Sequence, residues 1–260
     1  MTVVPKKSLG QHFLADSNML GVIGRLAALD DCDVVLEIGP GLGVLTRYLA
    51  ERVAHVHAVE VDRSLEPVLG DALSGHENVA LRFADALDVD PATLQPSPTK
   101  LVANLPYNIA TPLVVETLLG ANDLQLWCVM VQREVADRFF ASPSTKAYGA
   151  VSVLVTLTAE RTGFHRVSRT VFRPQPKVDS ALVAFRRVAS PSRLADVRRI
   201  VDGAFSHRRK TLANALELSG LADRSLTVAA LGALDRTPDS RAEALTPAEF
   251  VALTDLLLPR

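Results

Sequence analysis

Two short runs of residues in this chain could carry out chemistry on a nucleoside. The first, Glu37–Gly43, contains three alternating glycines and begins at the end of the β-rich stretch VVLEI. The second, Asn104–Asn108, reads NLPYN and follows the apolar stretch KLVA. Glycines after a strand permit a tight turn and let a ligand approach the main chain closely. The second run places a hydrogen-bond acceptor next to an aromatic ring.

Acidic residues at three predicted strand ends indicate a nucleoside-containing cofactor. Glu60 lies about twenty residues beyond the glycines, at the end of the second strand, where an acid can accept both ribose hydroxyls. Asp85 follows the third strand and could accept from an adenine amino group, although a turn residue or a helix cap is the alternative interpretation. No Walker lysine follows the glycines and no phosphate-binding cluster is evident. An uncharged linkage, such as the sulfonium of S-adenosylmethionine, is therefore favoured over a pyrophosphate.

The NLPYN run predicts methyl transfer to the exocyclic amine of a base. Such an amine is a poor nucleophile, because its lone pair is delocalised into the ring. The Asn104 oxygen and a main-chain carbonyl near Leu105 or Pro106 could accept its two hydrogens and favour a pyramidal nitrogen. The ring of Tyr107, rather than its hydroxyl, could stack on an extruded base. A plain turn with a buried tyrosine is the alternative.

The elements that must position these residues alternate between strands and helices. From about Val34 to Val131, short β-rich runs alternate with amphipathic stretches, which is typical of a parallel α/β sheet of the Rossmann-like type. The strand-like ALVAFRRV starts at Ala181, and a turn-rich segment at 189–193 leads into helical patterns. We therefore predict a cofactor-binding domain over 1–188 and a small helical domain over 189–260, which would contact RNA.

The charge distribution indicates a surface for a polyanion. The chain has a formal net charge of −1, but residues 161–210 contain 13 lysines and arginines against 3 acids, a net charge of +10. A solvated helix face would carry interspersed acidic partners, which are mostly missing here. The residues predicted to bind RNA within this segment are Arg173, Lys177, Arg208, Arg209 and Lys210.

The composition excludes several classes of protein. The chain has 260 residues, of which 48% are hydrophobic, enough for one sizeable core and a small second domain. No signal peptide or membrane-spanning stretch is evident, so we expect a cytoplasmic protein without a membrane partner, and a monomer. The two cysteines, Cys32 and Cys128, lie far apart without histidines at ligand spacing, and we expect neither a disulfide nor a bound metal.

Motifs along nearly the whole chain resemble those of the small-subunit ribosomal RNA adenine dimethyltransferases. Members of that family convert two adjacent adenines near the 3′ end of that RNA to N6,N6-dimethyladenine. The motifs that carry the resemblance are KSLGQHFL at 7–14, Glu37–Gly43, NLPYN at 104–108, KAYG at 146–149, FRPQPKVDSA at 172–181 and FSHRRKTL at 205–212.

The resemblance implies a class I methyltransferase fold, S-adenosylmethionine as cofactor, immature small ribosomal subunits as partner and a set of site residues. The residues implied for the cofactor pocket are His12, Leu14, Glu37, Gly39, Gly41, Glu60, Asp85 and Asn104. Those implied to act on the adenine are Asn104, Leu105, Pro106 and Tyr107, with Phe172 stacking on its other face. His12 departs from the family pattern, since many relatives carry asparagine there, and a main-chain contact would tolerate the change.

Three other functions are compatible with parts of the pattern. Erythromycin-resistance methyltransferases modify large-subunit RNA with a similar loop, but usually carry isoleucine at the position of Leu105. A non-catalytic ribosome-assembly factor would not need the acids and Asn104 intact. A small-molecule methyltransferase would not need the basic segment.

Overall fold

The structure is a computed structural model that describes residues 5–6 and 9–258, so Lys7 and Ser8 of the first motif lie outside it. The chain forms two compact units. The first comprises the chain up to Ala136 together with Glu160–Arg187, and the second comprises Asp137–Ala159 and the chain from Val188 onward. No helix within the described ranges is long and apolar enough to cross a lipid bilayer.

The described residues of the first unit form nine strands and four complete α-helices. The strands are β1 (Phe13–Leu14), β2 (Val34–Ile38), β3 (His55–Glu60), β4 (Val79–Phe83), β5 (Lys100–Asn104), β6 (Leu126–Gln132), β7 (Ala159–Val167), β8 (Phe172–Arg173) and β9 (Ser180–Arg187). The helices are α1 (Asn18–Leu26), α2 (Val44–Ala50), α3 (Glu66–Ala72) and α4 (Ala110–Gly120). Helix α5 (Arg133–Phe139) runs from this unit into the second.

Seven of these strands form one sheet in the order β4-β3-β2-β5-β6-β9-β7. Strands β2 to β6 are parallel, and β9 is antiparallel to β6. This arrangement confirms the predicted α/β fold. The chain proceeds outward from β2 to β4 and then returns to β5 on the other side of β2. Ligands of open α/β sheets bind at such a switch point, outside the carboxyl ends of the strands.

Strands β1 and β8 form a separate antiparallel pair, with Leu14 opposite Phe172. Both side chains enter an apolar cluster with buried residues of α1, α2 and the central sheet, among them Ile23 and Leu49. This pairing brings the amino-terminal segment and the segment before β9 together, and neither strand is evident from periodicity in the sequence.

The second unit is helical. It contains α6 (Ala150–Thr158), α7 (Leu194–Ser206), α8 (Leu212–Leu218), α9 (Arg224–Ala233) and α10 (Pro247–Leu257). Helix α10 packs against α6, α7 and α9. The predicted boundary after residue 188 lies one residue from an observed division, but the prediction assigned 137–159 to the first domain. That assignment differs from the structure, because apolar α6 buries its side chains against α7 and α10.

Candidate active site

A cleft at the carboxyl edge of the sheet brings the predicted cofactor residues together. It lies at the switch point between β2 and β5 and is roofed by residues 9–14. Its lining includes His12, Leu14, Glu37, Gly39, Gly41, Glu60 and Asn104. A second pocket shares Gly39 and Glu60 with this cleft and is lined by Asp85. The three acids therefore line adjoining pockets, as the strand ends predicted.

The glycine-rich loop has the main-chain geometry that its sequence requires. Gly39 and Gly41 have φ angles of +74° and +60°, which L-residues with side chains rarely adopt. A Cβ atom at Gly41 would lie 2.9 Å from the Phe13 ring. A side chain at Gly41 would therefore collide with the roof of the cleft, and one at Gly39 would be strained by the φ angle. Phe13 lines the cleft too, a role that the sequence analysis did not assign.

Glu60 is buried and holds the glycine-rich loop in place. Its Oε2 accepts a hydrogen bond from the Gly41 N–H at 3.1 Å, and its Oε1 accepts one from the Asp62 N–H at 2.9 Å. Burial raises the pKa of Glu60 despite these bonds. Each carboxylate oxygen can accept a further hydrogen bond, so Glu60 can both support the loop and accept from the hydroxyls of a bound ribose.

Glu37 is an almost completely buried acid with an unpaired oxygen. The residue is 1% exposed, and its Oε2 has no hydrogen-bond partner in the described part of the chain. Burial, together with a smaller contribution from the nearby Glu60, raises the pKa of Glu37 to about 8. A buried polar atom without a partner is costly and needs an explanation. Because Glu37 lines the cleft, a cationic ligand group would supply that partner.

Asp85 caps a short turn and also lines the second pocket. Its Oδ1 accepts a hydrogen bond from the Leu87 N–H at 3.0 Å and so caps a short 3₁₀ turn. The residue is exposed and lines the second pocket. The cap holds the carboxylate in place and leaves its other oxygen able to accept a hydrogen bond from a ligand.

The amino-terminal segment is fastened to Asp62, which sequence reasoning missed. The Lys6 ammonium lies 2.6 Å from Asp62 Oδ1, and Gln11 Nε2 donates to Asp62 Oδ2 at 2.8 Å. Burial alone would raise the pKa of Asp62, but hydrogen bonds from Lys6, Ser64 and Gln11 hold it well below its usual range. The segment that roofs the cleft is thus attached next to Glu60. The motif VEVD contained this acid, but nothing in the sequence indicated its distant partners.

Asn104 is oriented by a main-chain contact. Its Nδ2 donates a hydrogen bond to the His12 carbonyl at 3.0 Å. Because a carbonyl can only accept, the amide nitrogen must face His12, which leaves Oδ1 on the other side of the amide. This oxygen accepts no hydrogen bond from any described residue. The contact also explains how the chain accommodates histidine at position 12, because Asn104 binds the main-chain carbonyl of that residue and not its side chain.

The structure distinguishes between the two candidate main-chain acceptors. The Pro106 carbonyl accepts hydrogen bonds from the N–H groups of Ile109 and Ala110 at the start of α4, at 3.2 and 3.1 Å. The Leu105 N–H donates to the Met130 carbonyl at 3.0 Å, whereas no donor among the described residues reaches the Leu105 carbonyl. Leu105 therefore offers the available acceptor beside Asn104, and Pro106 shapes the turn.

The structure contradicts the stacking role predicted for Phe172. Its side chain is fully buried in the apolar cluster with Leu14, because β8 pairs with β1 and directs the ring inward. Tyr107 is half-buried and lines the cleft, and the His12 ring lies 5.6 Å from its ring, tilted by 32°. The two motifs that contain Tyr107 and Phe172 could not show which of these rings faced the core.

Some arginines of the basic segment at 161–210 are engaged in contacts within the protein. The Arg187 guanidinium donates to three main-chain carbonyls, one in the last turn of α4 and two in the loop between α4 and β6, and Arg193 pairs with Asp196. Of the residues predicted to bind RNA, Arg173 and Lys177 are exposed in the first unit, and Arg208–Lys210 are exposed in the second. Arg208 also donates to the Tyr148 carbonyl at 2.7 Å. The net charge of +10 therefore overestimates the number of charges available to a ligand.

Comparison with known proteins gives a consistent family assignment. The family model described as "Ribosomal RNA adenine dimethylase" matches residues 4–254. "Ribosomal RNA small subunit methyltransferase A" of Rubrobacter xylanophilus is 47% identical over 256 residues, covering 98% of this chain and 96% of that protein. The protein of the same name from Pelotomaculum thermopropionicum is 43% identical, with 98% and 92% covered.

Solved structures agree in fold. A dimethyladenosine transferase from Plasmodium falciparum superposes with a TM-score of 0.78 at 24% identity, covering 93% of this chain and 96% of that one. The 23S rRNA methyltransferase ErmE superposes with a TM-score of 0.68 at 30% identity, covering 94% and 99%. The fold is that of the class I methyltransferases. Because the family model matches nearly the whole length of this chain, the chain belongs to the ribosomal RNA adenine dimethylase family.

Proposed function

We propose that this protein uses S-adenosylmethionine to convert two adjacent adenines near the 3′ end of small-subunit ribosomal RNA to N6,N6-dimethyladenine, during cytoplasmic maturation of that subunit. The orientation of Asn104 carries the proposal. With Nδ2 bound to His12, its Oδ1 and the Leu105 carbonyl form two neighbouring acceptors beside the cofactor cleft. Two acceptors match the two N–H groups of an adenine amine.

The cleft fits the proposed cofactor. Glu60 would accept from the ribose hydroxyls, Asp85 from the adenine amine, and the unpaired Glu37 oxygen would face the amino-acid ammonium. When bound, the cofactor supplies an electrophilic methyl group on its sulfonium. The tight loop at Gly39 and Gly41 admits the ligand close to the main chain.

The protein's own groups improve the nucleophile. Asn104 and Leu105 accept the two amine hydrogens, which favours a pyramidal nitrogen whose lone pair points toward the methyl group. The Tyr107 ring supports the extruded base by stacking. The exposed cations Arg173 and Lys177 of the first unit, and Arg209 and Lys210 of the helical unit, supply phosphate contacts.

Small-subunit RNA is the proposed substrate because relatives at 41–47% identity carry that substrate in their names, whereas ErmE is 30% identical. The test offers immature small subunits, naked small-subunit RNA and large-subunit RNA to the purified protein with labelled cofactor, and maps the products by mass spectrometry. We expect dimethyladenine at two adjacent small-subunit positions. Modification of large-subunit RNA alone would overturn the proposal in favour of resistance-type activity, and no modification would favour a non-catalytic factor.

A further inference from the structure

The hydroxyl of Tyr107 is bound to a buried serine that lies outside the NLPYN motif. Tyr107 Oη and Ser180 Oγ are 2.7 Å apart. Ser180 is 1% exposed, and burial raises the pKa of Tyr107, so the phenol remains protonated. Ser180 Oγ has no other hydrogen-bond partner among the described residues. The hydroxyl is thus engaged within the protein, and the ring is the part of Tyr107 that a substrate can contact.

Both ends of this hydrogen bond are attached to the same strand. On one side, the Leu105 N–H donates to the Met130 carbonyl of β6 at 3.0 Å. On the other, Ser180 is the first residue of β9 and pairs with Gln132 of β6. The hydrogen bond therefore ties the Tyr107 ring to the paired strands β6 and β9, so that the loop carrying Tyr107 does not fix the ring alone.

The His12 ring lies beside the Tyr107 ring and is held by the chain just before β9. The His12 ring lies 5.6 Å from the Tyr107 ring, and its Nδ1–H donates to the Pro174 carbonyl at 2.7 Å. Pro174 directly follows β8 and Ser180 is the first residue of β9, so both belong to the stretch 174–180. This stretch thus determines the positions of both rings beside Asn104.

We propose that Ser180 is a positioning residue that holds the Tyr107 ring for the second methyl transfer. The proposal rests on the proposed stacking role of Tyr107. An unmethylated adenine offers two N–H groups to Asn104 Oδ1 and the Leu105 carbonyl, but an N6-methyladenine offers only one. With one hydrogen bond fewer, the orientation of the base depends more strongly on stacking. Ring placement therefore limits the second transfer more than the first.

The test is single-turnover methyl transfer to immature small subunits at saturating cofactor, with monomethyl and dimethyl products quantified over time. We expect Ser180→Ala to slow the second transfer by about 3- to 10-fold, the rate equivalent of one net hydrogen bond. The first transfer should slow less, so N6-methyladenine should accumulate. Ser180→Thr, which keeps the hydroxyl, should restore the parental product ratio.

Tyr107→Phe removes the same bond from its other end without changing the buried strand. It should reproduce the Ser180→Ala product ratio, and the double variant should be no slower than either single variant. Ser97→Ala deletes a hydroxyl bonded to Asp123 at the opposite edge of the sheet and serves as the control. Cofactor affinity should be unchanged in Ser180→Ala and in the Ser97→Ala control.

Parental rates and product ratios in Ser180→Ala and Tyr107→Phe would overturn the proposal, as would additive effects in the double variant. Equal slowing of both transfers would also overturn it. If the parental protein fails to methylate small subunits at all, the proposed function fails instead, so the two failures are distinguishable.

Discussion

Replacement of Asn104 by alanine tests the chemical step most directly. The change removes the Oδ1 acceptor and leaves the His12 carbonyl without the donor that now lies 3.0 Å away. Loss of one preorganised polar group at a reacting centre typically lowers the rate by roughly 10²–10³. We expect a loss of that size in the single-turnover rate, equivalent to about 3–4 kcal/mol of transition-state stabilisation.

The assay is transfer of labelled methyl to small subunits with cofactor at saturation, which separates chemistry from binding and product release. RNA affinity should change little, because phosphate contacts elsewhere supply most of it. Asn122→Ala, at an exposed asparagine between α4 and β6, makes the same side-chain change at the opposite edge and should retain the parental rate. Near-parental transfer by Asn104→Ala would refute the role of the amide.

Three further outcomes are expected. Glu60→Gln should weaken cofactor binding by ~1.5–3 kcal/mol in calorimetry, because the new amide nitrogen would face one of the two N–H groups that now donate to Glu60. An unchanged affinity would mean that the ribose is held elsewhere. Since the pKa of Glu37 is about 8 in the free protein, binding at pH 7 should release a proton and affinity should rise as the pH approaches 8, a dependence that Glu37→Gln should abolish. Arg209→Ala should lower the salt slope of RNA binding by about one unit without loss of thermal stability, whereas Arg208→Ala should also lower the melting temperature, because Arg208 donates to the Tyr148 carbonyl.

The cofactor edge could be predicted from sequence because its residues follow strand ends. In a parallel sheet all carboxyl ends lie at one edge, so Glu37, Glu60 and Asn104 had to converge there once the strands were recognised. The turn-rich segment at 189–193 likewise indicated the start of the helical pattern, and α7 begins at Leu194.

Other features depend on distant partners that local patterns do not reveal. Phe172 stands in a polar, basic motif, yet its pairing with Leu14 buries it. Strand β7 carries three charged or polar residues in succession near its start and was not predicted. Arginines such as Arg187 count toward a basic segment in sequence, although carbonyls about 65 residues away bind the guanidinium. Pairing and hydrogen bonding across the fold decide these cases.

The divided second unit has a consequence for synthesis on the ribosome. Helix α6 belongs to the early part of that unit, but its packing partner α10 ends at Leu257, about 100 residues later in the chain. At translation speeds of about 5–20 residues per second that interval lasts roughly 5–20 s. During most of that time α6, whose residues include Val153, Leu154 and Val155, can pack against α7 but not yet against α10. The part of its apolar surface that α10 covers therefore stays exposed until that helix has been synthesised.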